Sequence, residues 1–273
     1  SYIYINIFWL MKRVIIIAAF AAILTTGCSN TAEGGNTGNA LTEITGTSGK
    51  RVKRQIQTAY FTNLTVATSA NVIFTQSDGG KPEITVVGRE EAVKNLEFKN
   101  KGSKLIIEDK GGRNGTYVWD NQIEVRVKAP DITCIRVLSS GDFKCNGQID
   151  TDNIEISTVG SGDIDIKSLI CNNVSIKTTG SGDVDIDRIT TIGAKITTTG
   201  SGDVEVDNLT ARGNTHIGTT GSGDVEIGFN KSGNVDCRIT GSGDIKLKGS
   251  VKLLRKKVTG SGDLEINKLR IAR

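Results

Sequence analysis

The chain has 273 residues, 37% of them hydrophobic and only 5% aromatic, with 33 glycines, five cysteines, a single histidine and a formal net charge of +4. So small a positive excess, part of it carried by Lys12 and Arg13 ahead of an apolar run, argues against an electrostatic nucleic-acid binder. One histidine and cysteines without knuckle spacing argue against zinc and leave no Ser-His-Asp or Cys-His constellation.

In chain order, residues 1–10 lack an initiator Met and precede a proper signal start, so they are expected to come from a start site placed too far upstream and to play no part in the fold. Met11-Lys12-Arg13, the apolar run 14–24 and then Thr25-Thr26-Gly27-Cys28 read as a bacterial lipoprotein signal peptide, residues 11–27, with an apolar stretch too short to span a bilayer. Gly27 stands before Cys28 as in a lipobox, although Thr25 replaces the usual aliphatic residue and Leu24 falls one place early. Cys28 is therefore expected to become the acylated first residue of the mature chain. The acyl chains would hold it to a membrane outside the cytoplasm, the outer membrane being expected, on its periplasmic or surface face. The competing reading is a cleaved signal on a soluble exported protein. Residues 28–50, rich in Gly, Ser, Thr and Asn, read as a flexible tether.

Residues 51–130 carry no repeat, but period-two alternation persists in Leu64-Thr-Val66, Val72-Ile-Phe74, Ile84-Thr-Val86, Leu105-Ile-Ile107, Tyr117-Val-Trp119 and Ile123-Glu-Val125-Arg-Val127. That is a strand series, with turns at Asp78-Gly79-Gly80 and Gly111-Gly112 and one short helix over 89–96. It is expected to cap the N-terminal end of the repeat region and to share its core, because an uncovered first strand would leave unpaired backbone.

Residues 131–273 are dominated by one motif. Ser139-Ser-Gly-Asp142 is followed by Gly-Ser-Gly-Asp ending at Asp163, Asp183, Asp203, Asp224, Asp244 and Asp263, a period near 20 residues. A fixed period of that size marks one supersecondary unit stacked on the next. Each unit alternates before and after the turn, so Ile154, Ile156 and Thr158, Val174, Ile176 and Thr178, and their equivalents should point inward, as should Ile164 and Ile166, Val184 and Ile186. A looser return is expected near Leu169, Ile189 and Leu209. The fold class is all-β: a parallel β-helix or β-solenoid of about seven 20-residue rungs behind a β-rich N-terminal cap, with Lys268, Arg270 and Arg273 guarding the last edge.

The glycines are expected to supply positive φ and close approach between rungs. The Asp column, Asp142, Asp163, Asp183, Asp203, Asp224, Asp244 and Asp263, has two readings. In the preferred one each carboxylate accepts hydrogen bonds from its own turn's N–H groups or the adjacent Ser. In the other, calcium ions sit between rungs, although a single carboxylate per turn is far from the six to eight oxygens that calcium takes. Two residues on lies an outward column, Lys144, Asp165, Asp185, Glu205, Glu226, Lys246 and Glu265, in which Asp165, Asp185, Glu205 and Glu226 are a candidate ligand stripe. Basic residues, Lys177, Lys195, Arg238, Arg255 and Lys257, hold outward positions on the opposing strand, and the whole is first read as a solvated face. Of the cysteines after Cys28, Cys145 and Cys237 fall at inward phases and Cys134 and Cys171 do not, with the disulfide pattern open. His216 is read as a surface residue.

The lipobox, Phe61-x-x-Leu64-x-Val66 followed by Val72-x-Phe74, Ile123-Glu-Val125-x-Val127-x-Ala-Pro130 and the reiterated Thr-Gly-Ser-Gly-Asp-Val-Glu-Val together resemble the "putative auto-transporter adhesin, head GIN domain" family over about residues 57–266. The resemblance implies a β-helical envelope lipoprotein of Bacteroidetes-type bacteria, with adhesion as its role and no assigned catalytic residues. The expected function is a lipid-anchored adhesin or binding protein without enzymatic activity or cofactor. Its partners would be the membrane and an envelope or host glycan or protein. The alternative is a glycan-binding or glycan-cleaving β-helix using the acidic stripe, with calcium open in either case.

Overall fold

The computed structural model describes residues 41–44, 50–110 and 123–272, all within one unit, Asn39–Arg273. The signal peptide, Cys28, the Gly111-Gly112 turn and the strand expected at 117–119 lie outside the described residues.

The opening elements are β1 (Leu41–Ile44), β2 (Arg51–Ile56), β3 (Asn63–Ala67), β4 (Asn71–Gln76), β5 (Glu83–Arg89), α1 (Glu90–Asn95), β6 (Leu96–Lys101), β7 (Lys104–Asp109) and β8 (Glu124–Ala129). Then come β9 (Cys134–Val137), β10 (Phe143–Asp150), β11 (Asn153–Thr158), β12 (Ile164–Ile170), β13 (Asn173–Thr178), β14 (Val184–Thr191), β15 (Gly193–Thr198) and β16 (Val204–Ala211). The last four are β17 (Asn214–Thr219), β18 (Val225–Ile239), β19 (Ile245–Val258) and β20 (Leu264–Ile271). The helix expected over 89–96 is α1, which buries Ala92 and Val93. The tether differs from expectation at its end, where β1 pairs antiparallel with β2 and so takes up that strand's free edge.

Two parallel stacks run side by side. One takes β4, β10, β12, β14, β16, the first half of β18, the first half of β19 and β20. The other takes β7, β3, β9, β11, β13, β15, β17 and the second halves of β18 and β19. This is a parallel β-solenoid. Register follows the repeat: Ile164 lies on Val184 and Ile166 on Ile186, while Val174 lies on Ala194 and Ile176 on Ile196. The parallel stacking already includes strands of the opening region, with β4 lying on β8 and β3 on β7. Antiparallel β5, β2 and β1 then cover β8, and β6 covers β7. The cap shares the core, since Phe74 of β4 stacks on Phe143 of β10 with ring centroids 6.0 Å apart.

The inward residues expected from alternation are buried in every rung up to Leu247, each worth about 1.5–3 kcal/mol if large and aliphatic. Leu264 and Ile266 are only partly buried, because no described rung lies beyond β20. The looser return lies later than expected. Leu169, Ile189 and Leu209 are fully buried within β12, β14 and β16, and the chain turns at 171–172, 192 and 212–213. All four described cysteines are free: Cys145 and Cys237 are core residues, Cys171 is buried at the bend and Cys134 is half-buried.

Candidate functional site

The Gly-Ser-Gly-Asp turns stack so tightly that a side chain cannot enter. A Cβ on Gly182 would lie 2.2 Å from the Gly162 carbonyl oxygen, and one on Gly202 would lie 2.2 Å from that of Gly182. Close approach, rather than positive φ, is what demands glycine. Of the turn glycines only Gly260 has a left-handed φ, at 154°. Beneath the turns, buried threonines hold the bend from inside: the Thr158 hydroxyl donates to the Gly162 carbonyl at 3.0 Å and that of Thr178 to Gly202 at 3.3 Å.

The Asp column is tied across rungs. The N–H of Asp163 donates to Oδ1 of Asp142 at 3.0 Å, that of Asp183 to Asp163 at 2.9 Å, and that of Asp203 to Asp183 at 2.7 Å. The N–H groups of Asp224, Asp244 and Asp263 continue the series onto Asp203, Asp224 and Asp244, each at 2.7 Å. At the top Asn71 replaces the aspartate and accepts from the Asp142 N–H at 3.3 Å. The donor is thus the backbone of the next rung, not the carboxylate's own turn. Among the described residues no group of three or more His, Cys, Asp or Glu converges in a way that could hold a metal ion.

The outward column stands in register, Lys144 on Asp165, Asp165 on Asp185, Asp185 on Glu205, Glu205 on Glu226, and Glu226 on Lys246. Its ends are paired: Lys144 Nζ reaches Asp165 at 2.5 Å, and Glu226 is held by Lys248 at 3.0 Å and Lys246 at 3.3 Å. The Lys248 hydrogen bond holds the Glu226 carboxyl below its usual range. No salt bridge reaches Asp185 or Glu205 among the described residues. Partial desolvation, then the charges of Asp165, Asp187 and Asp207, push the Asp185 carboxyl up. Desolvation, then Asp185, Glu226 and Asp207, does the same to Glu205. The basic residues form no matching stripe. They lie in the other stack and split between two columns, Ser175, Lys195, His216, Asp236, Arg255 and Lys177, Thr197, Gly218, Arg238, Lys257.

A second face, which alternation within the strands does not single out, carries an open groove of about 820 Å³ along β11, β13, β15 and β17. Its floor includes a row at the first position of each strand, Asn153, Asn173, Gly193 and Asn214, with Asn234 next in register. The signal was available: asparagine recurs at one phase of the repeat, interrupted once. His216, exposed as expected, lines the same groove.

Burial raises the thiols of Cys134, Cys145 and Cys171 and pushes that of Cys237 up to about 12, which disfavours their reactive thiolate forms.

The sequence profile described as "Putative auto-transporter adhesin, head GIN domain" matches residues 60–232 and 189–273. The chain belongs to this family. Its fold resembles that of a putative adhesin from Bacteroides fragilis, with 26% identity, a TM-score of 0.73, and coverage of 80% of this chain and 97% of that one. A putative lipid binding protein from Parabacteroides distasonis shares 20% identity at a TM-score of 0.67, covering 80% and 97%. A putative adhesin from Parabacteroides merdae shares 18% at 0.55, covering 80% and 96%. No curated protein matches the chain.

Proposed function

We propose that this head GIN domain protein is a lipid-anchored protein of the cell envelope, held at the outer membrane through acylated Cys28, that uses the outward faces of its solenoid to bind an envelope or host glycan or protein rather than to catalyse a reaction. The observation that carries this reading is the in-register repetition of exposed charged and amide side chains over successive rungs, a surface suited to an extended partner. The family's description as an adhesin supports it, as does the Gly27-Cys28 pair ahead of a polar tether. No helix among the described residues is long and apolar enough to cross a membrane. Binding is favoured over glycan cleavage because Asp165, Asp185, Glu205 and Glu226 recur in register rung after rung, as a repeated surface does, rather than forming one asymmetric pair. In this reading the turn aspartates need no cation, since each Oδ1 from Asn71 to Asp244 already accepts a backbone N–H.

The anchor is tested in bacteria expressing the full chain or its Cys28→Ser variant and fed an alkyne-tagged fatty acid. The parent should carry the tag and fractionate with membranes, and the variant should lose both properties. Membrane association that survives in an untagged Cys28→Ser protein would contradict the anchor.

A further inference from the structure

The asparagine row in the groove is a hydrogen-bonded ladder with one member missing. Asn173 Nδ2 donates to Asn153 Oδ1 at 2.9 Å, and Asn234 Nδ2 donates to Asn214 Oδ1 at 3.1 Å. Between these pairs the same position is Gly193. The ladder therefore ends on one side with an acceptor, Asn173 Oδ1, and resumes on the other with a donor, Asn214 Nδ2, neither of which has a hydrogen-bond partner among the described residues. Asn173 Oδ1 leans over the gap, 2.9 Å from where a Cβ of residue 193 would stand.

We infer that this gap is a binding site for the acetamido group of an N-acetylated hexosamine. The two asparagines are two rungs apart, roughly 9.6 Å between their Cα atoms. A single hydroxyl is too short to bridge them. A trans amide has its donor and acceptor on opposite sides, so the acetamido N–H donates to Asn173 Oδ1 while its carbonyl accepts from Asn214 Nδ2, restoring what the missing asparagine would do. Ile192, 50% exposed beside the gap, offers the apolar contact that an acetyl methyl fits. Ser175 and Lys195, in the neighbouring outward column, stand within the same groove to meet sugar hydroxyls. A peptide strand is a poor fit, because these strands already pair with neighbours on both sides and have no backbone ladder to offer.

This inference rests on the reading of the chain as an envelope binding protein and names its ligand class. The test uses the exported full chain, extracted in detergent, and three immobilised probes. Chitotriose presents the acetamido sugar as cell-wall glycan does, a serine-linked α-N-acetylgalactosamine presents it as host mucin does, and cellotriose has hydroxyls in place of acetamido groups. At least one acetamido probe should bind, and which one identifies the source, while cellotriose should bind at least about tenfold more weakly. Gly193→Asn completes the ladder by displacing only the movable end of Asn173, so it should melt no lower than the parent yet lose at least about tenfold in binding. Asn214→Asp keeps the acceptor for Asn234, removes the donor, and should weaken binding similarly. Equal binding of cellotriose, unchanged binding by a folded Gly193→Asn protein, or no binding of either acetamido probe would overturn the site. Adhesion of whole cells that survives Gly193→Asn would overturn this site alone and leave the envelope-binding reading standing.

Discussion

Two columns of carboxylates climb this solenoid at the same 20-residue spacing, only two residues apart in each rung, and they are held in opposite ways. In the turn column every Oδ1 from Asp142 to Asp244 receives the backbone N–H of the following rung. In the face column Asp185 and Glu205 have only like charges above and below, with lysines reaching the ends at Asp165 and Glu226. Repetition of an acidic residue therefore says nothing by itself about stability. What decides is whether the geometry of the rung supplies a donor. The turn does, because its glycines let consecutive backbones approach; the strand face does not, because its N–H groups are spent in the sheet.

The contrast between the columns collapses most completely at the glycines, on which the close stacking depends. Gly202→Ala places a methyl against the Gly182 carbonyl and should destabilise the protein by about 3 kcal/mol or more, read from urea unfolding. Next is the turn column itself. Asp203→Ala leaves the Asp224 N–H without its acceptor and should cost about 1 kcal/mol, discounted for the exposure of the site. Asp203→Asn should cost less, because an amide oxygen still accepts, as Asn71 does at the top of the column. Equal losses in the two variants would mean that charge, not the hydrogen bond, matters there.

The smallest effect, with the opposite sign, belongs to the face column. Asp185→Asn should stabilise by roughly 0.5 kcal/mol at neutral pH and less in high salt. The sign follows from linkage. A carboxyl whose folded pKa is raised disfavours the fold once ionised, so stability declines as pH rises from the ordinary value of 3.8 through the raised folded value. The gain from Asp185→Asn should thus vanish below that ordinary value. Glu226, held down by Lys248, behaves in reverse: its contribution is present above 4.5 and is lost as pH falls through its lowered value.

Most of the fold is legible in the sequence because the repeat and the two-residue alternation report directly on which side chains face the core. Ile176, Ile196 and Ile217 are buried at the phase that alternation assigns, and the 89–96 segment forms α1. The candidate sites are less legible, for a physical reason. Alternation distinguishes inward from outward but does not say which backbone group meets an outward oxygen in the neighbouring rung, so the Asp163 carboxylate looks like a partner of its own turn. The groove is hidden for a related reason. Asn173, Gly193 and Asn214 sit at the bend, where the strand pattern restarts, and the information lies in the one rung that departs from the pattern. The chain returns two or three residues past Leu169 and Ile189, because those side chains still belong to β12 and β14 and are buried there.

Whether the turn column is a ladder of carboxylate to backbone hydrogen bonds is tested best by thermal unfolding of the exported chain in EDTA and then in millimolar calcium. A cation bound only by the folded state must raise the midpoint. A hydrogen-bonded ladder predicts midpoints within about 1 °C of each other. A rise of many degrees, abolished by Asp203→Asn, would show that the column binds calcium between its rungs and would contradict it.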